Sequence, residues 1–478
     1  MTKTHDDFAF LERAREDPDV YPLKIRRSEF REIYKPFAQD EASDQAERCL
    51  DCGNPCCEWK CPVHNYIPNW LKLAGEGRIL EAAELCHETN SLPEVCGRIC
   101  PHDRLCEEAC TLATGFGAVT IGAIERYIVD EAFKQGWRPD LSHVQTRPWS
   151  VGVVGAGPAG LACADVLSRN GISVTVYDRY PEIGGLLSFG IPDFKLELKV
   201  MRLRREVLEE AGVLFRLNCE IGRDIQAHEL EKMHDALFFG TGTYTPVQAG
   251  LPGIEKGGIV AALDFLIGQT AHLYNLDLPD FPHISLAGEN VLVLGGGDTA
   301  MDCVRTAIRQ GAGSVHCVYR RDRQNMPGSQ REVEHAMKEG VQFEFNTQAV
   351  SLVHENQRLT GLEVTRTRLV QTEDGGRARP EVIEGSEEVL PATALIFAFG
   401  YLPSPPAWLE AMSVEAGESG LVQVGGRLPG QTSNPAIFAA GDMVRGSDLV
   451  VTAIADAREA AQSMIQYLEM QQPRLKRA

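Results

Sequence analysis

The feature that most constrains the fold of this 478-residue chain is a pattern of strand, glycine loop and helix that occurs twice. In the first copy, the apolar run 150–155 leads into Gly155-Ala-Gly-Pro-Ala-Gly160, which matches G-x-G-x-x-G. A helical pattern follows over Pro158–Asn170, and a second apolar run covers Ser173–Tyr177. This order predicts a βαβ unit whose glycines let backbone N–H groups approach a pyrophosphate at the helix N-terminus.

The second copy begins with the apolar run 290–295 and continues into Gly295-Gly-Gly-Asp-Thr-Ala300, in which alanine replaces the third glycine. A helix is predicted over Thr299–Gln310 and a strand over Ser314–Tyr319. Alanine at the third position is an accepted variant of the motif. Two such units predict an α/β protein with two Rossmann-like dinucleotide-binding domains.

The cysteines mark a separate N-terminal module. Ten of the 14 lie between Cys49 and Cys110. The sequence around them predicts short helices, such as Ile67–Leu85 and Ala123–Lys134, joined by cysteine-rich loops. Residues 139–148 begin and end with proline and make a plausible linker to the first dinucleotide unit.

These patterns divide the chain into three domains, one of them in two parts. The predicted ranges are 1–145 for the helical domain, 146–285 and 405–478 for the first dinucleotide domain, and 286–404 for the second. Alternating residues over 341–388 predict an antiparallel meander with Gly375-Gly376 as a turn. Near the C-terminus we expect a strand over 436–440 and a helix over 452–468.

Charge and composition exclude several classes of protein. The net charge of −20 would repel a phosphate backbone, so no nucleic-acid partner is expected. No run of 18 apolar residues occurs, and the charged residues 1–16 lack the apolar core of a signal peptide, so we expect no membrane segment and a cytoplasmic location. In that reducing compartment, many cysteines favour metal ligation over disulfides.

Several residues are candidates for the first dinucleotide site. Asp178 ends the second strand of the first unit, about 20 residues after the glycine loop, where a carboxylate can accept hydrogen bonds from ribose hydroxyls. Two later stretches are also expected at this site, and with the loop glycines the candidates are Gly155, Gly157, Gly160, Asp178, Gly185, Leu186, Gly441, Asp442 and Thr452. The layout resembles the flavoproteins with two dinucleotide domains, in which a Gly-Asp pair contacts FAD. That resemblance supplies the identity of the ligand, whereas the spacing supplies only a nucleotide pocket.

The second site differs in the residues that end its second strand. Arg320 and Arg321 stand where an acid would favour NAD, and arginines can pair with a 2′-phosphate. The candidates for NADPH are Gly295, Gly297, Asp298, Thr299, Ala300, Arg320 and Arg321. A solvated basic turn is the alternative interpretation of the arginines. Cys303 and Cys317 do not form a C-x-x-C pair, so buried packing is expected for both.

The cysteine spacing predicts iron–sulfur clusters. The candidate ligands form two quartets, Cys49, Cys52, Cys57 and Cys61, then Cys96, Cys100, Cys106 and Cys110. A proline follows Cys61 and Cys100, as in the bacterial ferredoxin run whose last cysteine binds the other cluster, so two 4Fe–4S clusters with crossed ligation are a reasonable inference. Two four-thiolate zinc sites are the alternative, although zinc ribbons usually repeat C-x2-C at both ends. Cys56, Cys86, His64, His87 and His102 are expected to be bystanders. The predicted fold is therefore two Rossmann-like domains preceded by a helical iron–sulfur domain.

Longer stretches carry a more specific resemblance. Residues 46–53, 58–70, 92–101, 183–192 and 445–454 resemble the small (beta) subunits of bacterial NADPH-dependent glutamate synthase, and the likeness runs from about residue 8 to 468. The resemblance implies FAD, NADPH and two 4Fe–4S clusters. It also implies a large (alpha) subunit that makes two glutamates from glutamine and 2-oxoglutarate, while this chain takes hydride from NADPH and passes electrons on.

The resemblance leaves one cluster ligand open. In the related module of dihydropyrimidine dehydrogenase, ligation is crossed and a glutamine is one ligand; Glu125 stands at the matching position here. The implied sets are Cys49, Cys52, Cys57 and Cys110 for one cluster, and Cys61, Cys100, Cys106 and either Glu125 or Cys96 for the other. Two other functions remain as alternatives: an NADPH:ferredoxin-type oxidoreductase subunit with a different partner, and a zinc-stapled nucleotide-binding regulator without catalysis.

Overall fold

The computed structural model describes residues 8–248, 250–371 and 378–471. Its first part is helical, as predicted. The helices are α1 (Ala9–Glu12), α2 (Leu23–Arg26), α3 (Gln39–Ala46), α4 (Cys56–Lys60), α5 (Ile67–Gly75), α6 (Ile79–Thr89), α7 (Pro93–Ile99) and α8 (Ile121–Lys134), with short 3₁₀ turns at His102–Arg104 and Thr111–Ala113. Residues 139–148 contain no helix or strand, in agreement with a linker.

The helical module has its own core. Trp70, Leu71, Ile124 and Ile128 are almost completely buried in it. Helix α7 crosses α8 at Gly97, where an added Cβ would lie 2.7 Å from the backbone nitrogen of Arg126, so only glycine allows this approach.

The prediction of a single helix over 67–85 is wrong. The structure has two helices, α5 and α6, with a turn between them. Gly77 lies in that turn at φ +75°, a conformation that ends a helix and that glycine adopts without strain.

The first dinucleotide domain is built on a parallel sheet of five strands in the order β16 (Ile437–Ala439), β4 (Ala236–Phe239), β1 (Ser150–Val154), β2 (Ser173–Tyr177) and β3 (Leu214–Arg216). Its N-terminal part comprises β1 (Ser150–Val154), α9 (Pro158–Arg169), β2 (Ser173–Tyr177), α10 (Leu186–Phe189), α11 (Leu198–Glu210), β3 (Leu214–Arg216), α12 (Ala227–Met233) and β4 (Ala236–Phe239), followed by β5 (Thr245–Pro246). Strand β2 has the predicted bounds. Helices cover both faces, which explains why the central strands are uninterrupted apolar runs.

The second dinucleotide domain has a parallel sheet of order β6-β14-β7-β8-β9. Its elements are β6 (Ile259–Ala261), α13 (Ala262–Tyr274), β7 (Asn290–Leu294), α14 (Asp298–Gln310), β8 (Ser314–Tyr319), α15 (Gln330–Glu339), β9 (Gln342–Phe345), β10 (Thr347–Glu355), β11 (Arg358–Val370), β12 (Arg379–Val382), β13 (Glu388–Pro391) and β14 (Ala394–Phe397), with 3₁₀ turns at Ile254–Lys256 and Arg323–Asn325. Strand β6 pairs in this sheet although it precedes residue 286, so the sheet begins earlier in the chain than the predicted boundary.

The meander is present but starts later than predicted. Strand β9 pairs in parallel with β8 and so belongs to the dinucleotide sheet, whereas β10, β12 and β13 each pair antiparallel with β11. The predicted turn at Gly375-Gly376 lies outside the described residues.

The chain crosses twice between the two dinucleotide domains at one place. Strand β15 (Tyr401–Leu402) pairs antiparallel with β5 at this crossing. The last elements complete the first domain: α16 (Trp408–Ala411), β16 (Ile437–Ala439), α17 (Asp442–Arg445) and α18 (Val450–Met470). Over residues 8–248, 250–371 and 378–471, no helix has the length and apolar character that crossing a membrane requires.

Candidate functional site

The first glycine loop lines a cavity of about 490 Å³. Gly155 has φ +103° and Gly160 lies against it, so an added Cβ on Gly160 would be 1.8 Å from the Gly155 carbonyl oxygen. These two glycines are required by the turn itself. Gly157 has nothing within 4 Å of an added Cβ, so the space beside it is open to a ligand at the start of α9.

Asp178 lies in the wall of this cavity. Its carboxylate accepts hydrogen bonds from the backbone N–H of Ala156 (2.6 Å) and of Tyr180 (2.8 Å). Burial raises the pKa of Asp178 in spite of these bonds. A carboxylate has about four lone-pair positions, so Asp178 can fix the loop and still accept from a ligand hydroxyl.

Two further segments bring candidates to the first site. Gly185 packs on Gly157, with an added Cβ 3.1 Å from the Gly157 Cα, and Leu186 follows it in the cavity wall. Gly441, at φ +74°, caps α17, and Asp442 lines the cavity with a pKa that burial raises to about 6.

Thr452 is not in the cavity wall. It donates its hydroxyl to the Leu449 carbonyl oxygen (2.6 Å), while its neighbours Val450 and Ala453 line the cavity. The sequence reasoning also missed Arg179, whose guanidinium lies over the rings of Tyr180 (5.0 Å) and Tyr244 (4.4 Å) in the same wall. No sequence motif connects Tyr244 with Arg179.

The second glycine loop has the same architecture. Gly295, at φ +144°, approaches Ala398 so closely that an added Cβ would be 2.3 Å from its carbonyl oxygen, and Gly297 again has open space beside it. Ala300 is completely buried. Asp298 and Thr299 begin α14 and line a second cavity of about 290 Å³.

Arg320 and Arg321 follow β8 at the predicted end of that strand. Arg320 is exposed, and its carbonyl oxygen accepts from the Thr367 hydroxyl (2.9 Å). The Arg321 Nε donates to the Ala378 carbonyl oxygen (3.3 Å). Within the described ranges, neither guanidinium has a carboxylate partner, so both can pair with an anion.

The two cavities share a wall. Leu186, Ile191 and Asp442 line both of them. The second cavity is also lined by Cys100 and His102 of the helical module. The site of the first dinucleotide, the site of the second and the cysteine module therefore meet in one place, which neither glycine motif reveals on its own.

The cysteines gather into two groups that do not follow their order in the sequence. One small cavity is lined by Cys49, Cys52, Cys56, Cys57 and Cys110, and another by Cys61, Cys96, Cys100, Cys106 and Glu125. Cys61 and Cys110 have thus exchanged places relative to the sequence quartets. Cys56 is exposed, although it lines the first of these two thiol cavities, and Cys86 is buried in the core of the module.

The buried thiols need a positive charge nearby before they ionise. Burial raises the pKa of Cys49, Cys57 and Cys61 to about 12, and a bound metal cation deprotonates a coordinating thiol. In the part of the chain that the structure describes, no three Cys, His, Asp or Glu side chains converge closely enough for a single metal ion.

Glu125 is buried at the second thiol cavity. Its Oε1 accepts from the side-chain amides of Asn65 (2.9 Å) and Asn90 (3.4 Å), and burial raises its pKa to about 8. The Cys96 thiol donates to the Asn90 Oδ1 (3.8 Å), so both candidates for the open ligand contact the same asparagine.

The three histidines have different surroundings. His64 stacks edge-on against Trp59, and His87 contacts Arg204 (2.9 Å), but neither lines a thiol cavity. His102 does line the second thiol cavity, and its ring lies against Gly122. Cys303 and Cys317 are completely buried in the second dinucleotide domain, as expected for packing residues.

Family models match both halves of the chain. Residues 26–137 match dihydropyrimidine dehydrogenase domain II with its 4Fe-4S cluster. Residues 149–457, well over half of the chain, match the pyridine nucleotide-disulphide oxidoreductases. The two models thus meet at the linker, with the iron–sulfur model on the cysteine module.

A solved structure has the fold of the second half. The chain is similar to FprA from Mycobacterium tuberculosis, solved in complex with NADPH, at 19% identity and a TM-score of 0.56, over 68% of this chain and 85% of that one. At this identity the likeness concerns the fold alone.

Curated relatives are similar over almost the whole chain. The glutamate synthase (NADPH) small chain of Halomonas elongata is 55% identical over 98% of this chain and 99% of its own length. The protein of that name from Escherichia coli is 56% identical over 97% and 99%. The oxidoreductase AegA of Escherichia coli is 54% identical over 95% of this chain but only 70% of its own length. The chain belongs to the family of glutamate synthase (NADPH) small chains.

Proposed function

We propose that this chain is the NADPH-oxidising, electron-input subunit of a glutamate synthase and that it holds FAD and two 4Fe–4S clusters. The observation that carries the proposal is the shared wall, in which both dinucleotide cavities contact Leu186 and Asp442 and the second also contacts Cys100. A hydride donor, a hydride acceptor and an outlet for single electrons need this contiguity. The small chains that the sequence matches over 97–98% of its length support the identity of the enzyme.

The first cavity has the residues that FAD requires. The open space beside Gly157 at the start of α9 suits a pyrophosphate, and Asp178 suits ribose hydroxyls. FAD, when bound, would accept one hydride, which carries two electrons, and release these electrons singly, and iron–sulfur clusters would carry them one at a time. The protein contributes orientation and exclusion of water, since no side-chain nucleophile is needed.

The second glycine loop and the turn after β8 have the residues that NADPH requires. Gly297 leaves space for the pyrophosphate, and Arg320 and Arg321 offer charge-assisted hydrogen bonds to a 2′-phosphate. Leu186, which lines both cavities, and Leu263, which lines the second, form an apolar part of the wall. Apolar walls exclude water from the place where a hydride would be exposed to it.

For the clusters, we propose the crossed ligand sets that the two thiol cavities support. One comprises Cys49, Cys52, Cys57 and Cys110; the other comprises Cys61, Cys100, Cys106 and either Glu125 or Cys96. Glu125→Ala and Cys96→Ala, made separately, decide between these two through the potential of that cluster. A shift in Cys96→Ala alone would reject Glu125 as the ligand. Such thiolate ligands persist in a reducing compartment, so the proposal includes the cytoplasm.

The partner in this proposal is a large (alpha) subunit that makes two glutamates from glutamine and 2-oxoglutarate. The test is to mix the purified full-length chain with the large subunit and follow NADPH oxidation. We expect oxidation that requires both glutamine and 2-oxoglutarate and yields glutamate. Oxidation that is indifferent to both compounds would contradict the proposal.

A second candidate function is an NADPH:ferredoxin-type oxidoreductase subunit with a different partner. The observation that favours it is the 54% identity to AegA, a longer oxidoreductase of which this chain covers 70%. Fast reduction of ferredoxin, without any coupling to the large subunit, would support this function. A zinc-stapled regulator would instead be colourless, so flavin bands and broad brown absorbance in the purified chain would eliminate it.

A further inference from the structure

The helical module reaches the second glycine loop through Arg104, the last residue of the 3₁₀ turn His102–Arg104. Its Nη1 donates to the Pro327 carbonyl oxygen (2.7 Å), and its Nη2 lies 3.5 Å from the Asp298 carboxylate. Pro327 is next to the second glycine loop: the N–H of the following residue, Gly328, donates to the Gly296 carbonyl oxygen (3.0 Å). A cation from the iron–sulfur module thus lies at the start of α14.

Asp298 makes this cation necessary. A helix N-terminus after a glycine loop attracts a pyrophosphate through its free N–H groups and its dipole. Asp298 is the first residue of α14, and its carboxylate accepts from the Ser329 N–H (2.9 Å) at that same end. Without a counter-charge, this carboxylate would repel the anion that the loop is built to take.

A second acid on the same helix is neutralised in the same manner. Asp302 lies one turn further along α14 and pairs with Lys195 of the first dinucleotide domain (3.0 Å). Asp298 and Asp302, the two acids of α14 that line the second cavity, therefore each have a cation from another part of the chain. The Lys195 side chain is only 14% exposed in this pairing, whereas the Arg104 side chain is 43% exposed and can turn toward a ligand.

We propose that Arg104 binds the pyrophosphate of the nicotinamide dinucleotide, so that the iron–sulfur module completes the NADPH site. This inference rests on the proposed function, because it requires that the second cavity takes a nicotinamide dinucleotide. Arginine carries five N–H donors in a fixed fork; one donates to Pro327 and another group of the fork pairs with Asp298, so donors remain for phosphate oxygens. Arg104 neutralises Asp298 and contacts the anion directly.

The role of Arg104 differs from that of Arg320 and Arg321 in a measurable way. NADP⁺ and NAD⁺ share the pyrophosphate, whereas only NADP⁺ has the 2′-phosphate. Loss of the Arg104 side chain should therefore weaken the binding of both dinucleotides by the same factor.

The test is equilibrium binding of NADP⁺ and NAD⁺ to the full-length, flavin-loaded protein, which needs no turnover. For Arg104→Ala we expect Kd to rise about tenfold for both dinucleotides. Arg104→Lys, which keeps the charge but not the fork, should fall between the wild type and Arg104→Ala. Arg78→Ala is the matched control, because Arg78 is a similarly exposed arginine of the same module that pairs with Glu76 and Glu81; its Kd values should not change.

Asp298→Asn separates direct contact from mere neutralisation. If Arg104 contacts the pyrophosphate, Arg104→Ala still raises Kd for both dinucleotides in the Asp298→Asn background. If the loss disappears there, or if Arg104→Ala binds as the wild type does with iron and flavin content unchanged, the inference is wrong while the proposed function stands. A wild-type protein that binds neither dinucleotide would defeat both.

Discussion

A buried ion pair joins the iron–sulfur module to the first dinucleotide domain, and its removal should be costly. Arg204 on α11 donates from Nε to the Glu94 Oε1 (2.7 Å) and from Nη2 to the Oε2 (2.6 Å), and Glu94 lies on α7. The side chains are 0% and 2% exposed. We consider the substitution Arg204→Met, which keeps most of the volume and removes the charge.

The expected magnitude follows from this burial. Arg204→Met leaves the Glu94 carboxylate buried without its cation, a change that typically destabilises by about 3–5 kcal/mol. Arg205→Met is the matched control on the same helix: Arg205 is 32% exposed beside Glu182 and Glu209, and such pairs contribute about 0–1 kcal/mol. Replacing both members of the buried pair, as in Arg204→Met with Glu94→Met, should recover most of the stability.

The assay is urea unfolding of the full-length protein, followed through the fluorescence of its tryptophans, with the midpoint of the first transition as the readout. We expect a large decrease for Arg204→Met and little change for Arg205→Met. With the module less firmly docked, iron–sulfur reduction by NADPH should slow. Equal midpoints for the two variants would refute the reasoning, because the buried pair would then contribute no more than a surface one.

Three further predictions concern cofactor binding and pH. Replacing Arg320 and Arg321 with alanine should weaken the binding of NADPH much more than that of NADH, by about 1.5–3 kcal/mol for each charge-assisted hydrogen bond removed. An equal change in the two Kd values would reject the assignment of these arginines to the 2′-phosphate. Asp442→Ala should lower the ratio of FAD to protein in the purified chain, and an unchanged ratio would remove Asp442 from the site. Burial lowers the pKa of His335 to about 3, while an unfolded histidine titrates near 6.5. Between these values the unfolded chain binds one more proton, so stability falls with falling pH by up to about 1.4 kcal/mol per pH unit. His335→Gln should flatten the dependence of Tm on pH from 6.5 to 4, and the same slope in wild type and variant would contradict this.

The surroundings of His335 explain why it stays neutral. The Arg26 Nη2 lies 2.9 Å from its Nδ1, and the Tyr34 hydroxyl lies 2.6 Å from its Nε2. Because Arg26 can only donate, Nδ1 is the acceptor and Nε2 carries the proton, which is the neutral ring. Arg305 on α14 adds a further repulsive charge. Protonation would therefore cost binding energy between the N-terminal segment and the second dinucleotide domain.

Local patterns in the sequence predicted the two glycine loops and their flanking elements well. Strands β2 and β8 have the predicted bounds, because an apolar run between polar ends is a signal that needs no tertiary information. The helix predicted over 67–85 is wrong for a local reason as well: it runs through Gly77, and glycine is the usual signal of a turn. The predicted meander wrongly includes β9, because alternation alone does not distinguish a meander strand from the edge of a parallel sheet.

The features that the sequence could not provide depend on contacts between distant residues. The Cys-Pro spacing and the resemblance imply the exchange of Cys61 and Cys110 between the thiol groups, but they do not show that Asn90 contacts both Cys96 and Glu125. Arg104 lies in a loop between cysteines, and its contact with Asp298 arises only when the module docks on the second dinucleotide domain. Arg179 and Tyr244 are distant in the sequence and meet only in the folded wall of the first cavity.

The central claim is that two dinucleotide cavities and two thiol groups share this chain so that electrons from NADPH pass through it. An anaerobic titration of the purified chain with NADPH, followed by optical and EPR spectra, tests this claim most directly. The account predicts that the flavin absorbance bleaches and that signals of reduced 4Fe–4S clusters appear during the same titration. A protein that contains no iron, or whose bound flavin stays oxidised at excess NADPH, would contradict it.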